Sequence, residues 1–148
     1  MDWDNYFMGL ARAVSARSKD RSTKVGCVIV GPDNGVRASG YNGFPRGIND
    51  AAPERHDRPE NYAWTEHAER NAIYAAAKNG IATDGCRAFL PWFPCMDCAR
   101  ALVQAGIVEV VGIRPDTSDP KWGADFIRAE TLFAEAGVKV RFVAEECA

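Results

Sequence analysis

The sequence predicts an α/β layered fold, organised as one domain over residues 1–148. Two observations predict it. Segments with helical spacing alternate with short runs rich in β-branched residues, in the order α-β-β-α-β-α-β-α-β, the pattern of helices laid on a sheet. The chain also shows no internal repeat, low-complexity tract or linker, and its 148 residues are enough to bury a substantial core without staples.

The elements follow in order. Trp3, Tyr6, Phe7, Leu10 and Val14 recur at helical spacing and predict a helix over residues 3–17, with Asp2 as its cap. Lys24 to Val30 reads as a buried strand. Gly31-Pro32-Asp33-Asn34-Gly35 is a turn, and Val36 to Tyr41 returns as the second strand of a hairpin. Asn42 to Ala63 is loop-rich, and a loop of that length in a small domain is often functional. Thr65 to Lys78 is expected to be helical, with Thr65 as cap and Asn79-Gly80 as stop. Cys86 to Leu90 is a short strand. Pro94 opens a helix over Cys95 to Ala105, which Gly106 closes. Ile107 to Ile113 is a strand, Ala124 to Ala136 a helix, and Val138 to Val143 the last strand.

Composition narrows the function classes. The chain is 47% hydrophobic and 26% charged with a net charge of −2, which is ordinary for a soluble domain. It lacks the basic excess of a protein that grips nucleic acid. No apolar run reaches membrane-spanning length, and the acidic, aromatic start is unlike a signal peptide. A cytoplasmic location is therefore expected. The five cysteines then read as thiols or metal ligands rather than disulfides.

Two segments carry the chemistry, His67-Ala68-Glu69 and Pro94-Cys95-Met96-Asp97-Cys98. Each falls at a predicted helix start. On a first helical turn Cys95 and Cys98 share one face, and the helix N-terminus favours thiolates. Zinc takes sulfur and nitrogen ligands tetrahedrally, and a catalytic site leaves one position for water. His67 supplies the third protein ligand. Glu69, two residues on, is placed to take a proton from that water and return it to a leaving nitrogen. Two other readings stay open. Cys-x-x-Cys alone can be a redox pair. A structural zinc site would close with a fourth ligand, for which Cys27, Cys86 and His56 are the candidates. Neither gives Glu69 a role. His-x-Glu with Pro-Cys-x-x-Cys is the signature of zinc deaminases.

The resemblance is wider than these motifs. Arg17-Ser18-Lys19-Asp20, Lys24-Val25-Gly26, Gly40-Tyr41-Asn42-Gly43-Phe44-Pro45-Arg46-Gly47, His67-Ala68-Glu69-Arg70-Asn71-Ala72-Ile73, Phe93-Pro94-Cys95-Met96-Asp97-Cys98-Ala99 and Gln104-Ala105-Gly106-Ile107 cover most of residues 1–113. In this order they resemble the zinc-dependent cytidine/deoxycytidylate deaminase superfamily, and within it the dCMP deaminases. The resemblance implies a cytidine deaminase-like, three-layer α/β/α sandwich around a five-stranded mixed sheet. It implies one catalytic zinc ion, with no second zinc expected at His56. It implies that Asn42 hydrogen-bonds the substrate's sugar hydroxyl and that the backbone at Ala68 reads the pyrimidine edge. It further implies a homo-oligomer, a dimer or hexamer, and conversion of dCMP to dUMP and ammonia. The alternatives are the same chemistry on a nucleoside, free cytosine or a guanine-type base, and, less favoured by the acidic balance, on tRNA adenosine.

Two segments depart from the family pattern. Leu90-Pro91-Trp92-Phe93 replaces the small or hydroxylated residues before Pro-Cys, and places Trp92 where it either stacks on a ring or packs. Asp116 to Gly123 does not match the family's tail. Arg17 and Lys19, with Arg21 and Lys24, form a basic cluster that suits a 5′-phosphate or simply a solvated helix end. Trp64 and Trp122 read as core or interface, Cys27 and Cys86 as buried small hydrophobes, and Cys147 as idle.

Overall fold

The computed structural model of the chain describes residues 1–144; Cys147 lies outside them. Asp2 caps the first helix, α1 (Trp3–Ser15), by accepting a hydrogen bond from Asn5 N–H at 2.8 Å. Strand β1 (Gly26–Val30) and strand β2 (Val36–Tyr41) form the expected hairpin. A single 3-10 turn (Pro53–Arg55) and a short helix α2 (Asn61–Trp64) interrupt the following loop. Then come α3 (Ala68–Lys78), β3 (Arg87–Phe89), α4 (Met96–Gln104), β4 (Glu109–Ile113), α5 (Gly123–Ala136) and β5 (Lys139–Val143).

The five strands form one mixed sheet in the order β2-β1-β3-β4-β5. β1 runs antiparallel to both β2 and β3, while β3, β4 and β5 are parallel. β1 is buried on both faces, which explains its unbroken apolar run. Its side chains alternate between two cores. Val28 and Val30 face α1 with Phe7, Met8, Phe89 and Val111. Cys27 and Ile29 face the opposite layer with Ala72, Leu90, Leu102, Val110, Phe126 and Phe133, contributed partly by α3, α4 and α5. The three-layer sandwich is the expected one. Among the described residues no helix is long and apolar enough to cross a membrane.

Several boundaries shift from expectation, α1 ending at Ser15 and β4 starting at Glu109 among them, and two of the shifts have a hydrogen-bonding reason. β1 starts at Gly26, not Lys24, because Asn42 takes both backbone groups of Val25: its Oδ1 accepts from Val25 N–H at 2.9 Å and its N–H donates to Val25 C=O at 3.2 Å. α3 starts at Ala68, not Thr65, because Thr65 N–H closes α2 by donating to Asn61 C=O at 3.0 Å. Cys86 immediately precedes β3 and is buried, and Cys27 is fully enclosed, as small hydrophobes are.

Candidate metal centre and active site

His67 and Cys95 occupy equivalent places in the fold. Each is the extended residue just before its helix, α3 or α4, and neither side chain caps that helix. Their side chains are thereby free to turn towards one another. Cys98 follows on the first turn of α4. His67 Nδ1 lies 3.4 Å from both Cys95 Sγ and Cys98 Sγ, and the three ligand atoms lie within 4.8 Å of one another. Bond lengths for zinc at a tetrahedral centre place sulfur and nitrogen ligands about 3.6 Å apart. The donor set therefore fits one zinc ion, and these contacts are distances between ligands around a common centre.

Electrostatics point the same way. The Cys95 thiol is pulled down to about 4, first by the Cys98 S–H beside it and also by His67. Cys98 and His67 are pushed up, each first through its contact with Cys95. One thiolate forms readily here and the second only against it, so a divalent cation is the charge that lets both sulfurs ionise while buried. Glu69 is 3% exposed in the first turn of α3. Burial is the leading cause that raises its carboxyl above the ordinary glutamate value, followed by the neighbouring Cys95 charge.

The two helix starts are held by neighbours of the three ligands and Glu69. The turn at Gly43 is clamped to the residue before His67 by a pair of backbone bonds, Gly43 N–H to Glu66 C=O at 3.0 Å and Glu66 N–H to Gly43 C=O at 2.8 Å. Asn71 Nδ2 donates to Tyr41 C=O at 2.8 Å. Gly40 lets β2 press against α3: a Cβ there would lie 2.3 Å from Ala72 N and 2.5 Å from Ala68 O. Arg70 links the two helices, with Nε 2.7 Å from Glu66 and Nη1 3.8 Å from Asp97. Asp125 of α5 accepts from Met96 N–H at 2.7 Å, supplying the cap that Cys95 does not.

His67 and Cys95 open onto a cavity of about 600 Å³ whose lining includes Glu69, Ala68, Asn42 and Trp92. Trp92 is 43% exposed and packs edge-on against Phe126, with ring centres 6.4 Å apart. Asn42 is buried, and its amide is already engaged by Val25 N–H and by Thr23 C=O at 2.8 Å. Arg17 and Lys19 line a second, smaller cavity of about 170 Å³, and Lys19 is paired with Asp50 at 2.8 Å. The cations that do line the catalytic cavity are Arg58, Arg70, Lys121 and Arg128. Trp122, expected as core or interface, lines this cavity while also packing on the core. Residues 116–123, the segment unlike the family's tail, thus contribute Lys121 and Trp122 to the pocket wall. Trp64 lies outside both cavities, under the Arg55 guanidinium at 3.9 Å. His56 sits in the smaller cavity, where its Nε2 lies 2.5 Å from the Asp50 carbonyl oxygen.

Comparison with known proteins agrees with this geometry. The family described as the cytidine and deoxycytidylate deaminase zinc-binding region matches residues 1–113. A deoxycytidylate deaminase of Mus musculus is 37% identical over 95% of this chain and 79% of its own length. The Homo sapiens deoxycytidylate deaminase is 36% identical over 99% of this chain and 83% of its own. Among solved structures, the dCMP deaminase of cyanophage S-TIM5 in complex with dCMP and dUMP superposes with a TM-score of 0.76 at 26% identity, covering 93% of this chain and 94% of that one. A match over residues 1–113, joined to relatives more than a third identical along nearly the whole chain, makes this chain a member of the cytidine and deoxycytidylate deaminase family.

Proposed function

We propose that this chain hydrolyses dCMP, exchanging the amine on the pyrimidine ring for oxygen and giving dUMP and ammonia. The observation that carries the reading is a single cavity that joins a His-Cys-Cys metal centre and a buried glutamate to Arg58 and Lys121 on its wall. The curated mouse and human relatives are named for the same substrate, and the cyanophage relative is described with dCMP and dUMP bound.

Zinc held by His67, Cys95 and Cys98 would supply an activated water. The rest falls to this chain's own groups. Glu69 is the catalytic residue. Its carboxyl, raised by burial, takes a proton, delivers it to the ring nitrogen, and passes one to the departing amine. The uncapped first-turn N–H groups of α3, starting at Ala68, face the pyrimidine edge as donors. Trp92 gives the ring a flat apolar wall. Arg58 and Lys121 are the groups that suit a 5′-phosphate. The same reading includes a homo-oligomer acting in the cytoplasm. Trp3 and Tyr6, at 55% and 44% exposure on α1, are apolar surface that a second subunit would cover.

Ammonia release by the zinc-loaded protein tests the substrate, across dCMP, CMP, deoxycytidine, cytosine, and adenine and guanine compounds. dCMP is expected to exceed deoxycytidine in kcat/KM by about 10²-fold, the value of one or two charge-assisted bonds to phosphate. Equal rates on the two would move the assignment to a nucleoside.

A further inference from the structure

Asn61 opens the short helix α2, and its backbone is fully used: its N–H donates to Asp57 C=O at 2.8 Å and its C=O accepts from Thr65 N–H at 3.0 Å. Its side chain is not. Asn61 is 9% exposed, and its Oδ1 is a buried acceptor without a hydrogen-bond partner. Among the described residues the other two such atoms are Arg12 Nη2 and Arg70 Nε. Arg12 lines neither cavity, and Arg70 Nε faces the Glu66 carboxylate at 2.7 Å. Asn61 is the one that belongs to the wall shared by the catalytic cavity and the smaller one, beside Asp20, Ser22 and Thr65. Buried acceptors are rarely left unpaired, and one that lines a cavity awaits a donor from whatever fills it.

The donor can be identified by chemistry. A pyrimidine nucleotide that places its amine at Glu69 and the metal centre offers few groups able to donate to a neutral amide oxygen. The phosphate is an acceptor at neutral pH. The amine is at the reacting end. What remains is the sugar, and in a deoxynucleotide with its 5′-oxygen esterified the only free hydroxyl is the 3′ one. Asn42 also lines the catalytic cavity; its Oδ1 and Nδ2 each hold a backbone group and keep one further hydrogen-bonding position, whereas Asn61 Oδ1 has no partner at all.

We propose that Asn61 Oδ1 accepts a hydrogen bond from the 3′-hydroxyl of the bound nucleotide, and so is a positioning residue that reads the sugar. This rests on the dCMP reading above. A site built to pair a hydroxyl rejects the analogue that lacks it, because the buried partner is then stranded.

The test compares dCMP with 2′,3′-dideoxycytidine monophosphate in the parent protein, Asn61→Ala and Asn61→Asp, all zinc-loaded. The parent is expected to favour dCMP by about tenfold to a hundredfold in kcat/KM. Asn61→Ala is expected to lower the dCMP value, mainly through KM, and to bring the two substrates within about threefold of each other. Asn61→Asp keeps an acceptor oxygen and is expected to restore part of the preference. Thermal melting separates this from a structural role. Removing an unpaired buried oxygen leaves the Tm of Asn61→Ala equal to or above the parent's, whereas a fall of Tm with equal loss on both nucleotides would overturn the proposal. So would a parent that does not distinguish the two nucleotides, or a preference that survives in Asn61→Ala. A parent that releases no ammonia from dCMP defeats the substrate reading itself, and the Asn61 assignment with it.

Discussion

The carboxylate of Asp125, on α5, accepts a hydrogen bond from the backbone N–H of Met96 at 2.7 Å. Met96 is the first residue of α4 and lies between the two cysteine ligands. Because Cys95 turns to the metal centre and leaves its helix uncapped, a residue far along the chain completes the turn. Asp125→Ala should cost about 1 kcal/mol, as other lost caps do, and lower Tm by roughly 3 °C. It should also shed zinc faster to a chelator, read with a colorimetric zinc indicator. Asp125→Asn keeps an acceptor and should fall between. Unchanged zinc release in the alanine variant would mean that the cap does not hold the ligand turn.

Glu69→Gln preserves size and hydrogen bonding but cannot carry the proton. The variant should bind zinc at one ion per chain, measured by elemental analysis, and lose about 10²–10⁴-fold in kcat. Equal turnover by variant and parent would contradict the role given to the carboxyl.

Metal removal should act on folding as well as activity. Ligand binding to the folded state alone stabilises it by mass action, by about 4 kcal/mol at a thousandfold excess over the dissociation constant. A chelator should therefore lower Tm, and added Zn²⁺ should restore both Tm and ammonia release. Cys98→Ser should melt at the chelated value with or without zinc. A chelator that abolishes activity with no change in Tm would show that the site forms without the ion.

Gly40→Ala would push a methyl group into the α3 backbone at Ala68 and Ala72. Overpacking of this kind costs about 1–3 kcal/mol, and the displaced element carries His67 and Glu69. Urea unfolding should show the stability loss, and kcat should fall further than stability alone accounts for. A variant with full kcat would indicate that β2 and α3 can separate without disturbing the site.

Arg141, on β5, ties Asp4 of α1 with bonds of 2.7 and 3.0 Å and reaches Glu109 of β4 at 3.1 Å. The hydrogen bond from Arg141 is the main cause that holds the Asp4 carboxyl below its ordinary value. The folded protein therefore binds that proton less tightly than the unfolded chain does. The contribution is complete above the unfolded value of 3.8 and disappears as pH falls through the lowered folded one. Asp4→Ala should cost about 1 kcal/mol near pH 7, as well-oriented partly exposed pairs do, and progressively less below pH 4. Urea titrations across that range would show the difference shrinking, and a constant difference would remove the pair as its cause.

The order of elements and the identity of the metal ligands were both legible in the amino-acid sequence. Alternation of apolar residues is a local property, and so is the placing of Cys95 and Cys98 on one helical turn. The misplaced boundaries at Lys24 and Thr65 were not legible, because the backbone groups concerned are claimed by residues elsewhere: Asn42 for Val25, and Asn61 for Thr65. Nor does the basic cluster in the sequence show that Arg17 and Lys19 line a second cavity, which shares Asp20, Ser22, Asn61 and Thr65 with the first. Arg58 and Lys121 reach the cavity from turns that carry no periodic signal. A better signal lay in the mismatch over residues 116–123, since a segment that departs from its family beside a pocket is where a pocket wall differs.

By itself, then, the sequence determined the layered fold, the three ligands and the glutamate between them, since each depends on spacing along one or two elements. Only the tertiary structure decided which cations face the cavity, that α5 caps the ligand turn, and that an amide on α2 is buried with its oxygen unpaired. Those features depend on which distant segments the sheet and its helices bring side by side, and such contacts leave no period in the chain from which to read them.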